Sequence, residues 1–255
     1  MQQTDPASST RSRAPVIVIW SAILSLAGAL AVILSGYGYQ WGWWGLGVGF
    51  RILIPYGTIL AVLGGATSII VYLRMKSKVT TKSSYAFIGL AVALLAASNF
   101  GYWFMEVKKG YPPIHDISTD TVNPPEFKAI VPLRADAPNP AEYPREEDVS
   151  AAQEAFYGNI ETHHTSHSYN QAYNRALETA REMPWQIVSE SREEGCIEAY
   201  HKLPWFGFID DIVIRLDTTE DGAKVDMRSK SRVGRSDLGV NAKRIHQYFE
   251  EYKNR

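Results

Sequence analysis

From Ala14 to Phe50 the chain carries no charged residue, and Val16–Ser35 within that run is almost continuously apolar. Ile52–Leu73 and Ser83–Met105 are two further uncharged runs. Crossing a hydrocarbon core takes about 20 apolar residues in helix, at ~1.5 Å of rise per residue. Inside lipid each backbone amide must bond within its own segment, so the three runs are expected to be three transmembrane helices. Tyr37, Tyr39, Trp41, Trp43 and Trp44, then Tyr102 and Trp103, gather at the ends of the runs as interface anchors do. Gly57, Ala61 and Gly65, four apart, suit close helix packing. The spans hold no ionisable residue at mid-depth, which argues against a pump or transporter. Pro55 is expected in a first helical turn, where it is tolerated. Arg11 and Arg13 resemble a signal-peptide flank, but the run is too long and no small-x-small site follows it, so a retained anchor is expected.

Charge then divides the molecule. Residues 1–105 hold 7 Lys/Arg against 1 acidic residue, a net +6, and residues 106–255 hold 19 against 26, a net -7. The loop Arg74–Lys82 carries Arg74, Lys76, Lys78 and Lys82 and no acid, whereas Gly36–Arg51 carries only Arg51. The positive-inside rule puts the N-terminus and the second loop in the cytoplasm, and three crossings then put residues 106–255 on the far side. In a bacterial inner membrane that side is the periplasm. An acidic exposed part argues against nucleic acid as a partner. Cys196 is the single cysteine, so an internal disulfide is excluded.

The expected organisation is a cytoplasmic tail at 1–13, three helices at 14–105, a proline-rich extended arm at 106–149 and an α+β domain at 150–255. Val107–Val149 holds eight of thirteen prolines, consistent with either a stiff spacer or an ordered arm packed along the domain. Ile114, Ile117 and Val122 are apolar side chains that a free spacer does not need. Tyr169, Ala172, Tyr173, Ala176, Leu177, Ala180 and Met183 recur at helical spacing, with Ser166 or Ser168 to cap the helix and Pro184 to stop it. Alternating patterns predict strands at Trp185–Ser191, Ile197–Leu203, Ile212–Leu216 and Ala223–Lys230. Leu238, Ala242, Ile245, Phe249 and Tyr252 predict a closing helix, capped by Ser236 or Asp237. The expected fold is an antiparallel four-stranded sheet with helices on one face.

Several segments carry a likeness. Ile114–Asp120, Asn123–Phe127, Trp205–Arg215 and Val225–Ile245 resemble a bacterial family of uncharacterised proteins, the domain of unknown function fourteen-ninety-nine. The resemblance spans roughly residues 111–252, and some members similarly carry membrane helices before the domain. It brings no established activity or catalytic residues with it.

Three groups of residues could bear chemistry. Arg228, Lys230, Arg232 and Arg235, interleaved with hydroxyls including Ser236, lead into the last helix and would suit a phosphate or carboxylate such as a lipid head group. The alternative is that these cations pair with Asp210, Asp211 and Asp226 on neighbouring strands. His163 and His167, with His164 between them, have a spacing that on a helix could meet one metal, though no acidic or cysteine ligand sits at a matching distance. His115 and Asp116, with Asp120, could form an acid/base pair, or a hydrogen-bonded turn. Cys196 on a strand edge is expected to pack rather than react. No cofactor is expected. The functional expectation is an inner-membrane protein displaying a periplasmic binding or assembly module of the envelope. Its partners would be the bilayer and an envelope protein or anionic lipid. An envelope hydrolase using the His115/Asp116 pair is the alternative.

Overall fold

The computed structural model describes residues 13–79, 82–144 and 149–255. The chain divides into two compact units, Met1–Glu106 and Val107–Arg255. The tail that includes Arg11 lies outside the described residues.

The first unit is helical. Helix α1 (Ala14–Gln40) is followed by a single turn α2 (Leu46–Val48), a π-helical stretch at Gly49–Leu53, and α3 (Ile54–Arg74). A short turn α4 (Lys76–Val79) leads to α5 (Ser83–Lys108). Three spans of 27, 29 and 26 residues are long and apolar enough to cross a membrane. The second span begins at Leu46 rather than Ile52, although Pro55 lies, as expected, in the opening turn of α3 itself. Proline has no N–H and its ring crowds the preceding turn; the widened π stretch just before it absorbs that misfit.

Small residues set the packing of these helices. A Cβ on Gly28 would meet the Ala61 amide nitrogen at 2.4 Å, and one on Gly65 would meet the Gly89 carbonyl at 2.4 Å. Ser25 Oγ lies between two carbonyls, 2.9 Å from Ala61 O and 3.0 Å from Gly89 O, and so ties α1 to both other spans. Large apolar side chains such as Trp20, Leu63 and Leu95 point outward. That is the arrangement of a helix bundle in an apolar solvent, where close backbone contact and buried hydroxyls replace hydrophobic burial.

The second unit is built on a sheet of six antiparallel strands rather than four. The long strands are β3 (Gln186–Ser191), β4 (Cys196–Lys202), β5 (Ile209–Thr219) and β6 (Gly222–Ser231). Two three-residue strands, β1 (Asp116–Ser118) and β2 (His163–Thr165), share the outer edge of β6, opposite Arg228–Lys230 and Ala223–Val225 respectively. Three residues are too few to show a period of two, which is why the alternation analysis misses both.

Helices α7 (Tyr169–Glu182) and α8 (Val240–Asn254) cover one face. Ile197, Ile212, Ile214, Val225 and Met227 from the strands meet Ala176, Ala180, Ile245 and Tyr248 there. Ser168 is the N-cap of α7, its N–H donating to Gln171 Oε1 at 3.1 Å. Asp237 accepts the amides of Gly239 and Asn241 at the start of α8. A further helix, α6 (Val149–Tyr157), sends buried Gln153 to the free side of β1, where its amide bonds both the N–H and the C=O of Ser118 at 3.0 and 2.6 Å.

The opposite face is covered by the proline-rich arm. Phe127 and Ile130 pack on Val213. The buried Glu198 carboxylate accepts the successive amides of Lys128, Ala129 and Ile130, pinning the arm to β4. A 3-10 turn at Val131–Arg134 follows. The arm is therefore a layer of the second unit, which has helices on one face and irregular chain on the other.

Candidate functional site

The strand period of two sends Asp226, Arg228 and Lys230 of β6 to the arm-covered face, together with Asp211, Val213 and Arg215 of β5. Arg228 forms a two-point pair with Asp116, Nε–Oδ1 and Nη2–Oδ2 both at 2.8 Å. Lys230 Nζ stands 2.9 Å from the same carboxylate, and all three side chains are 1% exposed. Arg232 pairs with Asp211 at 2.7 Å, and Arg134 Nη1 stands 3.1 Å from that carboxylate, although not in line for a hydrogen bond. Four cations thus share two carboxylates.

Backbone carbonyls supply the balance. Arg228 donates to Pro125 O and Ala141 O, Lys230 to Glu142 O, Arg232 to Leu133 O, and Arg134 to Asn139 O and Pro140 O. Proline contributes an acceptor without a donor, so a proline-rich segment can turn carbonyls inward with fewer amides left to satisfy. Aromatic faces add to this: Arg228 lies over Phe127 at 4.7 Å and over Tyr143 at 5.3 Å. Burial pulls Lys230 and Arg134 below their usual values, and burial pushes Asp211 up against the opposing pull of Arg232.

The segment from Arg228 to Ser236 therefore does not gather its cations on one surface. Arg228 and Lys230 are enclosed, Arg232 is held by Asp211, and Arg235 is exposed. Ser236 Oγ donates to Pro112 O. The acids thought available to this segment are partly taken elsewhere: Asp210 pairs with Arg244 at 2.6 Å and Asp226 with Arg215 at 2.8 Å.

His115, Asp116 and Asp120 also diverge. Asp116 belongs to Arg228 and Lys230, while Asp120 pairs with Arg215 at 3.0 Å and accepts the amides of Val122 and Asn123. Burial, then Lys230, holds the half-buried His115 below the ordinary histidine range. His163 and His164 lie on β2 and not on a helix, so the helical i, i+4 geometry does not arise. His163 packs against Phe249 and Tyr252, at 5.6 and 5.3 Å between rings. Among the described residues no group of three or more His, Cys, Asp or Glu side chains is placed to hold a metal.

Clefts open on both faces of the domain. One, of about 330 Å³, lies at the arm side and includes Pro124, Lys128, Glu194, Cys196 and Arg215. Burial pushes the Cys196 thiol up to about 11, so it stays protonated and poorly nucleophilic. The other, of about 240 Å³, lies at the helix side and is lined by Met183, Pro184, Trp185, His201, Leu203, Val240, Lys243, Arg244 and Gln247. Beneath it runs a buried polar chain. Arg244 bonds Asp210, Ser229 and Asn241, and Asn241 continues to Ser231 Oγ and His115 O. His201 Nδ1 stands 3.5 Å from Arg244 Nη2. Guanidinium only donates, so Nδ1 is the acceptor and the ring proton resides on Nε2. Burial, followed by Arg244, holds His201 low, hence neutral near pH 7. Sequence reasoning passed over His201 and Arg244; the available signal was a histidine in the apolar phase of a strand, after Ile197 and Ala199.

Comparison with curated proteins and with solved structures finds no match. The family model described as "Protein of unknown function (DUF1499)" matches residues 116–251, from β1 into α8. By that match, which spans more than half of its length, the chain belongs to the DUF1499 family.

Proposed function

We propose that the protein is a binding or assembly module anchored in a bacterial inner membrane, with Val107–Arg255 held on the periplasmic side. The observation that carries this reading is the pairing of two unlike units. One is a bundle of three membrane-length helices without a mid-span charge, and the other is a complete sheet domain. Arg74, Lys76 and Lys78, exposed between the second and third spans, support the orientation. The His115/Asp116 hydrolase loses its support, because Asp116 is engaged by two cations. The bundle then serves to hold the domain at the membrane, and the domain serves recognition.

Fusions of alkaline phosphatase test the orientation. A fusion after Lys78 is expected to be inactive and one after Arg255 active, since the enzyme matures only outside the cytoplasm. Equal activity at the two sites, or the reverse order, would overturn the reading.

A further inference from the structure

The charges on the arm side are closed upon one another, and Arg215 in the arm-side cleft is shared by Asp120, Asp217 and Asp226. The helix-side cleft differs. Lys243 is exposed on its wall and has no ion pair among the described residues. The Nε2–H of His201 likewise has no partner there, while Nδ1 is engaged toward Arg244. The charge of Arg244 is already balanced by Asp210, which leaves Lys243 as the net charge of the cleft.

The remaining walls are apolar: Met183, Pro184, Trp185, Leu203 and Val240. Trp185 is fixed by stacking on the fully buried Tyr248, with ring centroids 5.7 Å apart and planes at 24°. A cavity of about 150 Å³ takes a benzene ring. A cleft of about 240 Å³ therefore has room for one ring and a small polar group. Concave apolar walls with a few convergent polar groups are the usual form of a small-molecule site.

We propose that this cleft binds a small anion, a carboxylate or phosphate monoester carrying one ring. Lys243 attracts the charge, His201 Nε2–H donates to an anionic oxygen, and the ring lies among Trp185, Leu203 and Val240. Arg244 is a positioning residue: its bonds to Asp210 and Ser229 hold it in place, and its contact with Nδ1 keeps the proton of His201 on Nε2. The inference deepens the binding reading above by naming a ligand class.

The test is calorimetric titration of the full chain in detergent micelles with benzoate and phenyl phosphate. Inorganic phosphate and benzyl alcohol serve as the two half-ligands. At least one ring anion is expected to bind saturably and about tenfold or more tighter than either half-ligand, with the stronger of the two identifying the anionic group. Lys243→Gln is expected to weaken it about tenfold and to remove most of its salt dependence, with an unchanged melting temperature because the side chain is exposed. His201→Phe should weaken binding as well, and His201→Gln, which keeps an N–H donor, should restore part of it. Absence of saturation by both ring anions up to about 10 mM overturns the proposal. So does affinity equal to that of benzyl alcohol, or binding indifferent to Lys243→Gln. Titration in micelles is blind to orientation, so this failure is distinct from failure of the topology test.

Discussion

Replacing Asp116 by Asn takes one carboxylate away from both Arg228 and Lys230, which are buried with it. Breaking a buried ion pair from one side typically costs about 3–5 kcal/mol, because the surviving charge has neither water nor partner. Asp116→Asn is expected to destabilise by that order in denaturant unfolding of the full chain. Arg235→Ala, at an exposed position in the same basic run, should change stability by less than ~0.5 kcal/mol. Equal effects of the two would show that charge does not hold this layer. The run itself was legible in the sequence, and so was the idea that its cations meet acids. The identity of the acid was not: Asp116 lies 112 positions before Arg228, and nearer candidates on the strands looked equally suitable. Glu198 was illegible for another reason, since its partners are backbone amides, which leave no mark on composition.

At the level of elements, long periodic segments were readable and short ones were not. The three apolar spans, both amphipathic helices and the four long strands follow from period and length. Strands β1 and β2 exist because β6 offers an edge, and β1 persists because Gln153 closes its other side. Gln153→Ala should therefore leave the Ser118 amide unsatisfied and loosen β1 from its outer side. The loss of a bond pair to a buried edge, about 1–3 kcal/mol, converts to exchange of the Ser118 amide faster by roughly 5-fold to 150-fold. Hydrogen exchange read by mass spectrometry over peptides spanning 114–120 checks this, and unchanged protection would refute the role given to Gln153. The second span differs in one respect from its reading: helical backbone begins at Leu46, ahead of the proline that opens α3. A π stretch is a local adjustment of hydrogen-bond spacing, and nothing in residue type announces it beforehand.

For the whole molecule, the split of charge near residue 105 anticipated the division at Glu106, but it left open whether the arm is a stiff spacer or a layer packed on the domain. That unit also carries a pH signature. Burial lowers His115, His163 and His201 below their ordinary value of 6.5. A lowered histidine binds its proton more weakly folded than unfolded, so its stabilising contribution is complete above pH 6.5 and is lost as pH falls through the folded-state values. The melting temperature of the domain should fall between about pH 7.5 and about pH 5.5, and His163→Phe should flatten the slope. A flat profile in the parent would contradict the burial of these rings. The arm has a further consequence, in time rather than in energy. Thr119 bonds Asp226 across 107 positions, and Arg228 reaches back to Asp116 across 112. A chain made from its N-terminus emerges with the arm well before β6. Contacts so distant in sequence form late, once the loop between them has been closed. Until then the arm is a tether whose carbonyls have only water to face, and completing β6 is the event that turns tether into wall.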